Sequence, residues 1–410
     1  MLTLATRALE LRGFPADEIS RHLLLSEDRA LPEALRRGRA FLTREADPPR
    51  GFGAYVGFQD RRDILDGIDA ETPSVLLPAS DFEYLSDGDV LRVMPKGKAA
   101  RAVYRRRSRQ NFILTTERCN NFCLMCSQPP KREDDSWLVE DILRLLPLID
   151  RATPEITITG GEPTLLGSDF LRILSACESW LPETAIHILS NGRTFADMEF
   201  ARGYAAIGHH DVMVGIPLYS DVSHLHDFVV QARGAFDETV RGILNLKSLG
   251  QRVEIRVVLH QQTYRRLPQL AQFIARNLRF VDQVALMGLE MTGFTRANLP
   301  QLWIDPIDYQ NELEQAVDEL VAHGVRTSIY NHQLCVLSER LWPFARKSIS
   351  DWKNEYMPEC GGCTKMDQCG GFFSSAHIRY SDHIRPFLAA GSGTPSGTPS
   401  RQTAMALAAE

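Results

Sequence analysis

Three closely spaced cysteines follow an apolar run that begins at residue 112. Residues 112–126, F-I-L-T-T-E-R-C-N-N-F-C-L-M-C, place Cys119, Cys123 and Cys126 in a C-x3-C-x2-C pattern. Three thiolates on one short loop can bind three irons of a four-iron cluster, and the loop lacks a fourth cysteine in the usual ferredoxin spacing. One iron would therefore stay open to another ligand. The alternatives are a zinc site, although structural zinc usually has four protein ligands, and buried thiols without a metal.

A second group of cysteines lies towards the C-terminus. Cys360, Cys363 and Cys369 form a C-x2-C-x5-C run, and Cys335 lies upstream of it. Four thiolates are enough to close one iron–sulfur cluster, and they would equally form a tetrahedral zinc site. The spacing alone leaves both open. The remaining cysteine, Cys177, lies on an apolar helical face and is predicted to pack in the core.

The composition is that of an ordinary globular protein. The chain has 410 residues, 44% hydrophobic and 24% charged, with a net charge of -6. This charge argues against bulk attraction to nucleic acid or anionic lipid. No apolar stretch approaches the roughly 18 residues of a spanning helix, and the N-terminus lacks a signal-peptide core. We therefore expect a cytoplasmic protein without membrane or nucleic-acid partners, in which clustered cysteines indicate metal or redox chemistry.

Residues 1–110 are predicted to form a small β-rich N-terminal domain. A short helical stretch is expected near residues 16–25, followed by short strands separated by turn residues. A hairpin is expected around Lys96 and Gly97, because the flanking residues alternate between apolar and polar. Such a domain could cap the rest of the protein or bind a peptide as an added strand at an exposed edge.

From residue 111 onward, apolar strands alternate with amphipathic helices. The predicted strands are 111–116, 156–160, 186–190, 211–216, 253–259 and 283–288. Near-continuous apolar runs indicate a parallel sheet covered on both faces, so the predicted fold class is α/β, with six strand–helix units forming a partial (β/α)6 TIM-like barrel. Such barrels carry their chemistry at the carboxyl ends of the strands, where the first cysteine loop begins.

Two further strand ends carry segments that could contact a ligand. The second strand is followed by Gly160-Gly161-Glu162-Pro163, and the third by Ser190 and Asn191. Two residues without side chains next to a carboxylate could receive a ligand that carries an ammonium group. Alone, the G-G-E-P segment would be an ordinary turn. Its position one strand after the cysteine triad makes it specific.

Together, the triad and these segments resemble the radical S-adenosylmethionine (SAM) superfamily. The resemblance implies that the triad binds a 4Fe-4S cluster whose open iron holds the amino and carboxylate groups of SAM. It implies that residues 160–163 hold the amino end of the methionine moiety and that Ser190 and Asn191 lie near the nucleoside. Met125 stands where this family often has an aromatic residue, so adenine packing is expected to differ.

The same resemblance assigns a role to an arginine on the fifth strand. Arg256 resembles a residue that can meet the methionine carboxylate, and a guanidinium fork suits that geometry. An internal ion pair with Glu254 or Glu290 is the alternative.

Two later segments resemble radical SAM enzymes that act on peptides. Residues 225–243 are similar to a stretch of these enzymes in which the equivalents of His226 and Asp227 organise a loop and a helix start. The C-terminal cysteine run is similar to the SPASM extension, which holds auxiliary iron–sulfur clusters. Further cysteines of the full extension are absent after Cys369. This likeness favours a second 4Fe-4S cluster over zinc at the C-terminal cysteines.

Most of the chain resembles the His-Xaa-Ser system radical SAM maturases of the HxsC type. The likeness is carried by T-T-E-R-C-N-N-F-C-L-M-C-S-Q-P-P-K, by L-M-G-L-E-M-T-G-F and by the C-terminal cysteine region. It implies a radical SAM oxidoreductase that modifies a small protein with His-Xaa-Ser repeats through a 5'-deoxyadenosyl radical. It also implies a second radical SAM maturase as partner and a reductant such as flavodoxin or ferredoxin. The alternatives are an enzyme acting on a small metabolite and a non-catalytic iron–sulfur scaffold.

The predicted organisation has four parts. Residues 1–110 form the N-terminal domain, 111–325 the radical SAM partial barrel and 326–388 a truncated SPASM-like auxiliary-cluster region. Residues 389–410 are rich in Gly, Ser, Thr and Pro and are predicted to be a disordered tail.

Overall fold

Two β-sheets organise the protein. The computed structural model describes residues 4–45, 47–59, 67–348 and 355–389, so nearly all of the predicted tail lies outside the described residues. The strands of the first sheet are β1 Ala5–Arg7, β2 Glu10–Arg12, β3 Arg21–Ser26, β4 Ala40–Leu42, β5 Ala54–Phe58, β6 Ser74–Leu77, β7 Val90–Met94 and β8 Ala99–Tyr104. The strands of the second sheet are β9 Asn111–Leu114, β10 Glu155–Thr159, β11 Ala185–Leu189, β12 Val212–Pro217, β13 Arg252–Leu259, β14 Gln283–Gly288 and β15 Thr327–Tyr330.

Ten helices accompany these strands in the described ranges. They are α1 Glu33–Arg36, α2 Ala79–Phe82, α3 Trp137–Leu145, α4 Ser168–Trp180, α5 Met198–Ala205, α6 Ser223–Val230, α7 Ala235–Ser248, α8 Leu267–Asn277, α9 Phe294–Leu302 and α10 Gln310–Ala322. None of them combines the length and the apolar character that a membrane span needs.

The first sheet curls back on itself. Its strand order is β1-β8-β7-β3-β4-β5-β6-β2, so β1 and β2 lie at opposite edges. A flat sheet of eight strands would hold its edges about 34 Å apart. The chain from Arg7 to Glu10 spans at most about 11 Å. Ala8 N donates to Lys98 O at 2.7 Å and Leu9 N donates to Leu76 O at 2.9 Å, so one bent segment closes the sheet into a small barrel.

One prediction for this region is wrong and another is confirmed. The helix expected near residues 16–25 is absent, because residues 21–26 form β3 in antiparallel register with β7. Leu23 and Leu25 are buried in the small barrel, whereas Leu24 packs on the opposite face, so the leucine run follows the period of a strand. The predicted hairpin is present: β7 pairs antiparallel with β8 across a turn at Pro95–Gly97.

The second sheet is a partial TIM-like barrel, as the sequence predicted. Its seven strands follow the order β9 to β15 and every neighbouring pair is parallel. All six predicted strands are present. The seventh, β15, escaped prediction because it is only four residues long and half polar, T-S-I-Y. Since β9 and β15 do not pair with each other, the barrel is open along one side.

The two faces of this sheet differ in chemistry, as β11 illustrates. Ile186 and Ile188 are buried in the outer core, where Phe170 of α4 also packs. His187 and Leu189 alternate with them and line the inside of the barrel. Cys177 lies fully buried in the same outer core, which confirms its predicted packing role.

The small barrel is joined to the parallel sheet through a buried carboxylate on α3. Asp141 is 2% exposed, accepts a hydrogen bond from the Ser20 hydroxyl and pairs with Arg92 at 3.1 Å. His22 Nε2 lies 3.3 Å from the same carboxylate. Burial alone would raise the pKa of Asp141, but hydrogen bonds and charge from His22, Ser20 and Arg92 hold it well below its usual value. Asp141 is therefore an ionised link between the two sheets.

Candidate active site

The loop that carries the cysteine triad begins where β9 ends. Asp135 gathers the start of this loop, since it accepts hydrogen bonds from the Thr116 hydroxyl at 2.9 Å, Glu117 N at 2.5 Å and Arg118 Nε at 3.0 Å. Further along, Phe122 N donates to the carbonyl of Val230 at the end of α6. Protein contacts therefore fix the loop at its start and again between its first and second cysteines.

The three thiols lie close enough to influence one another. Burial raises the pKa of Cys119 to about 11, with smaller contributions from Glu162 and Cys126. Burial, followed by the charges of Cys126 and Cys119, raises the pKa of Cys123 well above its usual value. Burial also raises the pKa of Cys126. A metal centre would have to displace these protons, because only thiolates bind metal.

The two glycines after β10 allow the triad loop to pack against the next strand end. A Cβ on Gly161 would lie 2.2 Å from the carbonyl oxygen of Arg118, and one on Gly160 would lie 2.5 Å from that of Thr116. Gly161 N donates to Thr116 O at 2.7 Å, and Glu162 N donates to Arg118 O at 2.8 Å. Because these two glycines have no side chains, the loop after β10 can contact the cysteine loop closely.

The carboxylate of Glu162 connects the second and third strand ends. It is 0% exposed and accepts hydrogen bonds from Thr164 N at 3.0 Å and the Thr164 hydroxyl at 2.6 Å. It also accepts from the Ser190 hydroxyl at 2.8 Å and from Asn191 N at 2.6 Å. Burial raises its pKa, and these four donors oppose the shift. Three of the donors contact Oε1, so Oε2 retains acceptor capacity.

Asn191 also ties the third strand end to the cysteine loop. Its side-chain amide donates to Asn120 Oδ1 at 2.6 Å, between Cys119 and Cys123 in the chain. Arg193 adds hydrogen bonds at 2.8 Å to Asn120 O and Asn121 Oδ1. The structure therefore brings together the triad, the G-G-E-P segment and the serine–asparagine pair.

The inside of the barrel encloses a cavity of about 430 Å³ next to the triad. Met125 lines it from the cysteine loop, and Arg256 lines it from β13. The ion pair considered from the sequence is present, since Arg256 Nη1 lies 2.8 Å from Glu254 Oε1. Arg256 Nη2 also donates to the sulfur of Met287 at 3.3 Å. Glu290, the other possible partner, lines the same cavity.

Other polar residues of this cavity were not identified from the sequence. His187 Nε2 lies 3.7 Å from Glu254 Oε1 and has no hydrogen-bond partner among the described residues. Burial, with the positive charge of Arg256, lowers the pKa of His187 to about 3, so the imidazole is neutral near pH 7. Tyr330 lines the opposite edge on β15. The available signal was a polar residue at alternate positions of apolar strands, as in I-H-I-L and V-E-I-R-V.

His226 and Asp227 have the organising role that was expected. His226 Nδ1 accepts from Tyr219 N at 3.2 Å, and burial lowers the His226 pKa to about 4. Asp227 accepts from Gly234 N at 2.6 Å and from Phe236 N at 2.9 Å at the start of α7. His226 thus holds the connection between β12 and α6, and Asp227 holds the connection between α6 and α7.

The four C-terminal cysteines also come together. Burial raises the pKa of Cys335, and the charges of Cys369 and Cys363 raise it further. The Cys360 thiol is influenced in the same way by the other three. Phe387 N donates to Cys363 Sγ at 3.4 Å. Among the described residues, no group of three or more His, Cys, Asp or Glu side chains has the spacing expected around a single metal ion.

The segment after the last cysteine closes one side of the barrel cavity. Phe373 lines that cavity together with residues of β13 and β14. Gln333 donates to Gly371 O at 2.7 Å, which joins the region after β15 to the C-terminal cysteine segment. The second cysteine group is therefore next to the barrel but outside its interior.

Residues 113–274 match the family model described as the Radical SAM superfamily. The matched segment contains the triad, the G-G-E-P segment, the serine–asparagine pair and Arg256. This segment is thus similar to the radical SAM superfamily, whose cofactors are a 4Fe-4S cluster and SAM. The residues present fit these groups, because three thiols converge on one loop and Met125 of that loop faces an adjoining cavity.

Comparison with individual proteins gives partial matches. Fe-coproporphyrin III synthase of Methanosarcina barkeri is 26% identical over 165 residues, which cover 38% of each chain. The crystal structure of Streptococcus suis SuiB with bound SAM gives a TM-score of 0.43 and 20% identity, covering 55% of this chain and 51% of SuiB. Native anSMEcpe with bound SAM and the Cp18Cys peptide gives 0.42 and 18%, covering 54% and 62%. The chain thus spans less than two thirds of each of these proteins.

Proposed function

We propose that the protein is a radical SAM enzyme that modifies a peptide or small protein, with His-Xaa-Ser repeat proteins as the expected substrates. The observation that carries this proposal is the cysteine triad, which is held against two neighbouring strand ends and opens through Met125 on the barrel cavity. When bound, the reduced cluster and SAM supply a 5'-deoxyadenosyl radical that takes a hydrogen atom from the substrate. A second radical SAM maturase and a flavodoxin or ferredoxin are the proposed partners.

Different residues of the site would bind different parts of the cluster and of SAM. Cys119, Cys123 and Cys126 would bind three irons of the cluster. Residues 160–163 would receive the amino end of the methionine moiety, and the free acceptor capacity of Glu162 Oε2 supports this role. Ser190 and Asn191 would border the nucleoside, with their positions set by Glu162.

Arg256 would bind the methionine carboxylate without giving up its ion pair. A guanidinium has five N–H donors, and Arg256 uses one on Glu254 and one on Met287. The remaining donors are available on the side of the cavity. Glu254 would hold the guanidinium in place, since a paired arginine has fewer rotamers to lose on binding.

The C-terminal cysteines would hold a second metal centre, for which we favour a 4Fe-4S cluster, with zinc as the alternative. Convergence of the four thiols supports a metal centre there. Because Phe373 of the same region lines the barrel cavity, a centre at this place would lie close enough to accept an electron from an oxidised substrate or to ligate it.

The test is anaerobic incubation of the reconstituted chain with SAM, dithionite and a His-Xaa-Ser repeat protein. We expect 5'-deoxyadenosine by chromatography and a changed peptide by mass spectrometry; solvent deuterium is included because epimerisation leaves the mass unchanged. Formation of 5'-deoxyadenosine with an unmodified peptide would favour a small-metabolite substrate, consistent with the partial match to a porphyrin-related enzyme. Absence of 5'-deoxyadenosine would indicate a non-catalytic scaffold.

A further inference from the structure

The first strand of the parallel sheet has a free edge. Thr115 N donates to Thr159 O at 2.9 Å, and the register pairs Phe112 with Thr157 and Leu114 with Thr159. In a parallel ladder, alternate residues bond to the same neighbour. The backbone groups of Phe112 and Leu114 therefore point away from β10, towards an edge where no described strand pairs.

A cavity of about 330 Å³ lies beside this edge, between β9, α3 and the outer face of β8. Phe112 and Leu114 line it from β9, and Ile142 lines it from α3. Its volume is within the range of about 300–1,000 Å³ that is usual for ligand pockets. The edge thus faces a partly open cavity.

An unpaired arginine projects into this cavity from the small barrel. Ala100 and Ala102 of β8 face the interior of that barrel, so Arg101 between them faces outward and lines the cavity. Within the described ranges its guanidinium has neither an ion-pair nor a hydrogen-bond partner, while neighbouring Arg92 is committed to Asp141. Burial lowers the pKa of Arg101 and Arg92 adds to this effect, whereas the charge of Glu117, which lines the same cavity, opposes it. A half-buried cation without a partner favours an anionic ligand.

A buried acceptor lines the same cavity. Gln110 is 4% exposed, and its Nε2 donates to Glu155 Oε1 at 3.1 Å and to the Thr157 hydroxyl at 3.4 Å. Because a carboxylate can only accept, the contact with Glu155 fixes the amide orientation. In the part of the chain that the structure describes, Gln110 Oε1 has no hydrogen-bond partner. This oxygen can accept a hydrogen bond from a ligand N–H.

We propose that an extended peptide segment with an Asp or Glu side chain binds along β9 as an added strand, with its carboxylate on Arg101. This inference rests on the proposed peptide substrate and identifies where part of that substrate is held. A backbone or side-chain N–H of the segment would donate to Gln110. Phe112 lines both this cavity and the barrel cavity that contains Met125 and Arg256, so the bound segment would lie next to the place of modification.

The test uses synthetic peptides and the full reconstituted chain without SAM. The probe is fluorescein-labelled acetyl-Thr-Val-Glu-Val-Thr-Val, followed by fluorescence anisotropy, and a matched probe has Lys in place of Glu. We expect the Lys probe to bind about tenfold more weakly or worse, because it loses a charge-assisted hydrogen bond. Two further probes carry N-methyl groups on alternate sets of backbone nitrogens. One set should abolish binding and the other should leave it unchanged, since an added strand pairs through alternate residues.

Protein variants give the reciprocal test. Arg101→Gln should weaken the Glu probe about tenfold and make the Glu and Lys probes bind alike. Arg107→Gln is the control, because Arg107 is an exposed arginine of the next connection that does not line the cavity. Amide hydrogen exchange at Phe112 and Leu114 should slow with the Glu probe. No binding of the Glu probe up to millimolar concentration, equal binding of both N-methylated probes, or an unchanged Kd for Arg101→Gln would overturn the proposal.

The same preparation separates this inference from the proposed function. Cleavage of SAM in the absence of peptide tests the radical chemistry without the β9 edge. If 5'-deoxyadenosine forms and the probes do not bind, only the peptide site is refuted. If the probes bind as expected and SAM is not cleaved, only the proposed function is refuted.

Discussion

The two cysteine groups are positioned in different ways. The first is held by a sheet: its loop leaves β9, and backbone and side-chain hydrogen bonds tie it to the ends of β10 and β11. The second comes from turns between Cys335 and Cys369. Within the described residues, the regular pairing of this region consists of two isolated bridges, Ile329 to Ala345 and Glu355 to Phe372. The sheet therefore fixes the first site before any metal binds. The second site depends more on its metal, because metal binding and folding are coupled where few other contacts hold the ligands.

The two cysteine groups should differ most in how strongly their loss reduces SAM cleavage. Cys123→Ala should lower 5'-deoxyadenosine formation by about 10³-fold or more, because it removes a cluster ligand and acts on the reaction itself. Cys363→Ala should retain cleavage within about tenfold, because it changes only the second site. Cys177→Ala is the control for loss of a thiol, since Cys177 is buried in the outer core. Equal loss in the Cys123 and Cys363 variants would remove the distinction between the two sites.

The first site should also depend on Glu162 for its shape. Glu162→Ala leaves four buried donors without an acceptor and should lower the free energy of unfolding by about 3 kcal/mol or more. Glu183→Ala, on an exposed loop, should change it by less than about 0.5 kcal/mol. Urea unfolding of the metal-free chain is the measurement. A small effect of Glu162→Ala would mean that the sheet alone holds the strand ends.

The junction between the two sheets should show a pH dependence that neither cysteine group shares. The pKa of Asp141 in the folded state lies below its ordinary 3.8, so its stabilising effect is complete above that pH and is lost as the pH falls below it. Asp141→Asn should cost about 2 kcal/mol near pH 7. The difference between wild type and variant should shrink between pH 4 and pH 2 in thermal melts. A constant difference over this range would show that Asp141 stabilises without its charge.

The smallest effect is expected in the resistance of the second cysteine site to proteolysis. Metal loss in the double variant Cys360→Ala, Cys363→Ala should speed proteolytic cleavage within residues 355–389 by about tenfold, because metal binding stabilises the folded segment by mass action. Cleavage within the parallel sheet should keep its rate. Limited proteolysis with mass spectrometry measures both in one digest. Unchanged cleavage of the C-terminal segment would mean that its turns hold the cysteines without metal.

Features of the fold that depend on short stretches of sequence could be predicted from the sequence. Apolar runs between turn residues located six strands of the parallel sheet, and the segments that carry the proposed site residues follow directly from them. The position of β3 was missed because three consecutive leucines fit a helix as well as a strand when only their apolar character is considered. Leu23 and Leu25 face one core and Leu24 the other, which becomes evident only when both sheets are present.

Long-range pairing could not be inferred in the same way. Closure of the first sheet depends on β1 meeting β8 and β2 meeting β6, strands far apart in the chain. The partners of Glu162 include Ser190 and Asn191, which the sequence assigned to a nucleoside and not to a buried carboxylate. Side-chain contacts between strand ends leave no periodic pattern in the sequence. A motif can therefore suggest a role for a glycine or a glutamate at a strand end, but it does not show which residues contact it.

We propose that the triad holds a cluster with an open iron that binds SAM. The most direct test is electron paramagnetic resonance of the reconstituted, dithionite-reduced chain with both Cys360→Ala and Cys363→Ala, in which only two thiols of the second site remain. Adding SAM should shift the g values of the reduced cluster, because the open iron gains amino and carboxylate ligands. A spectrum that is identical with and without saturating SAM would contradict the claim.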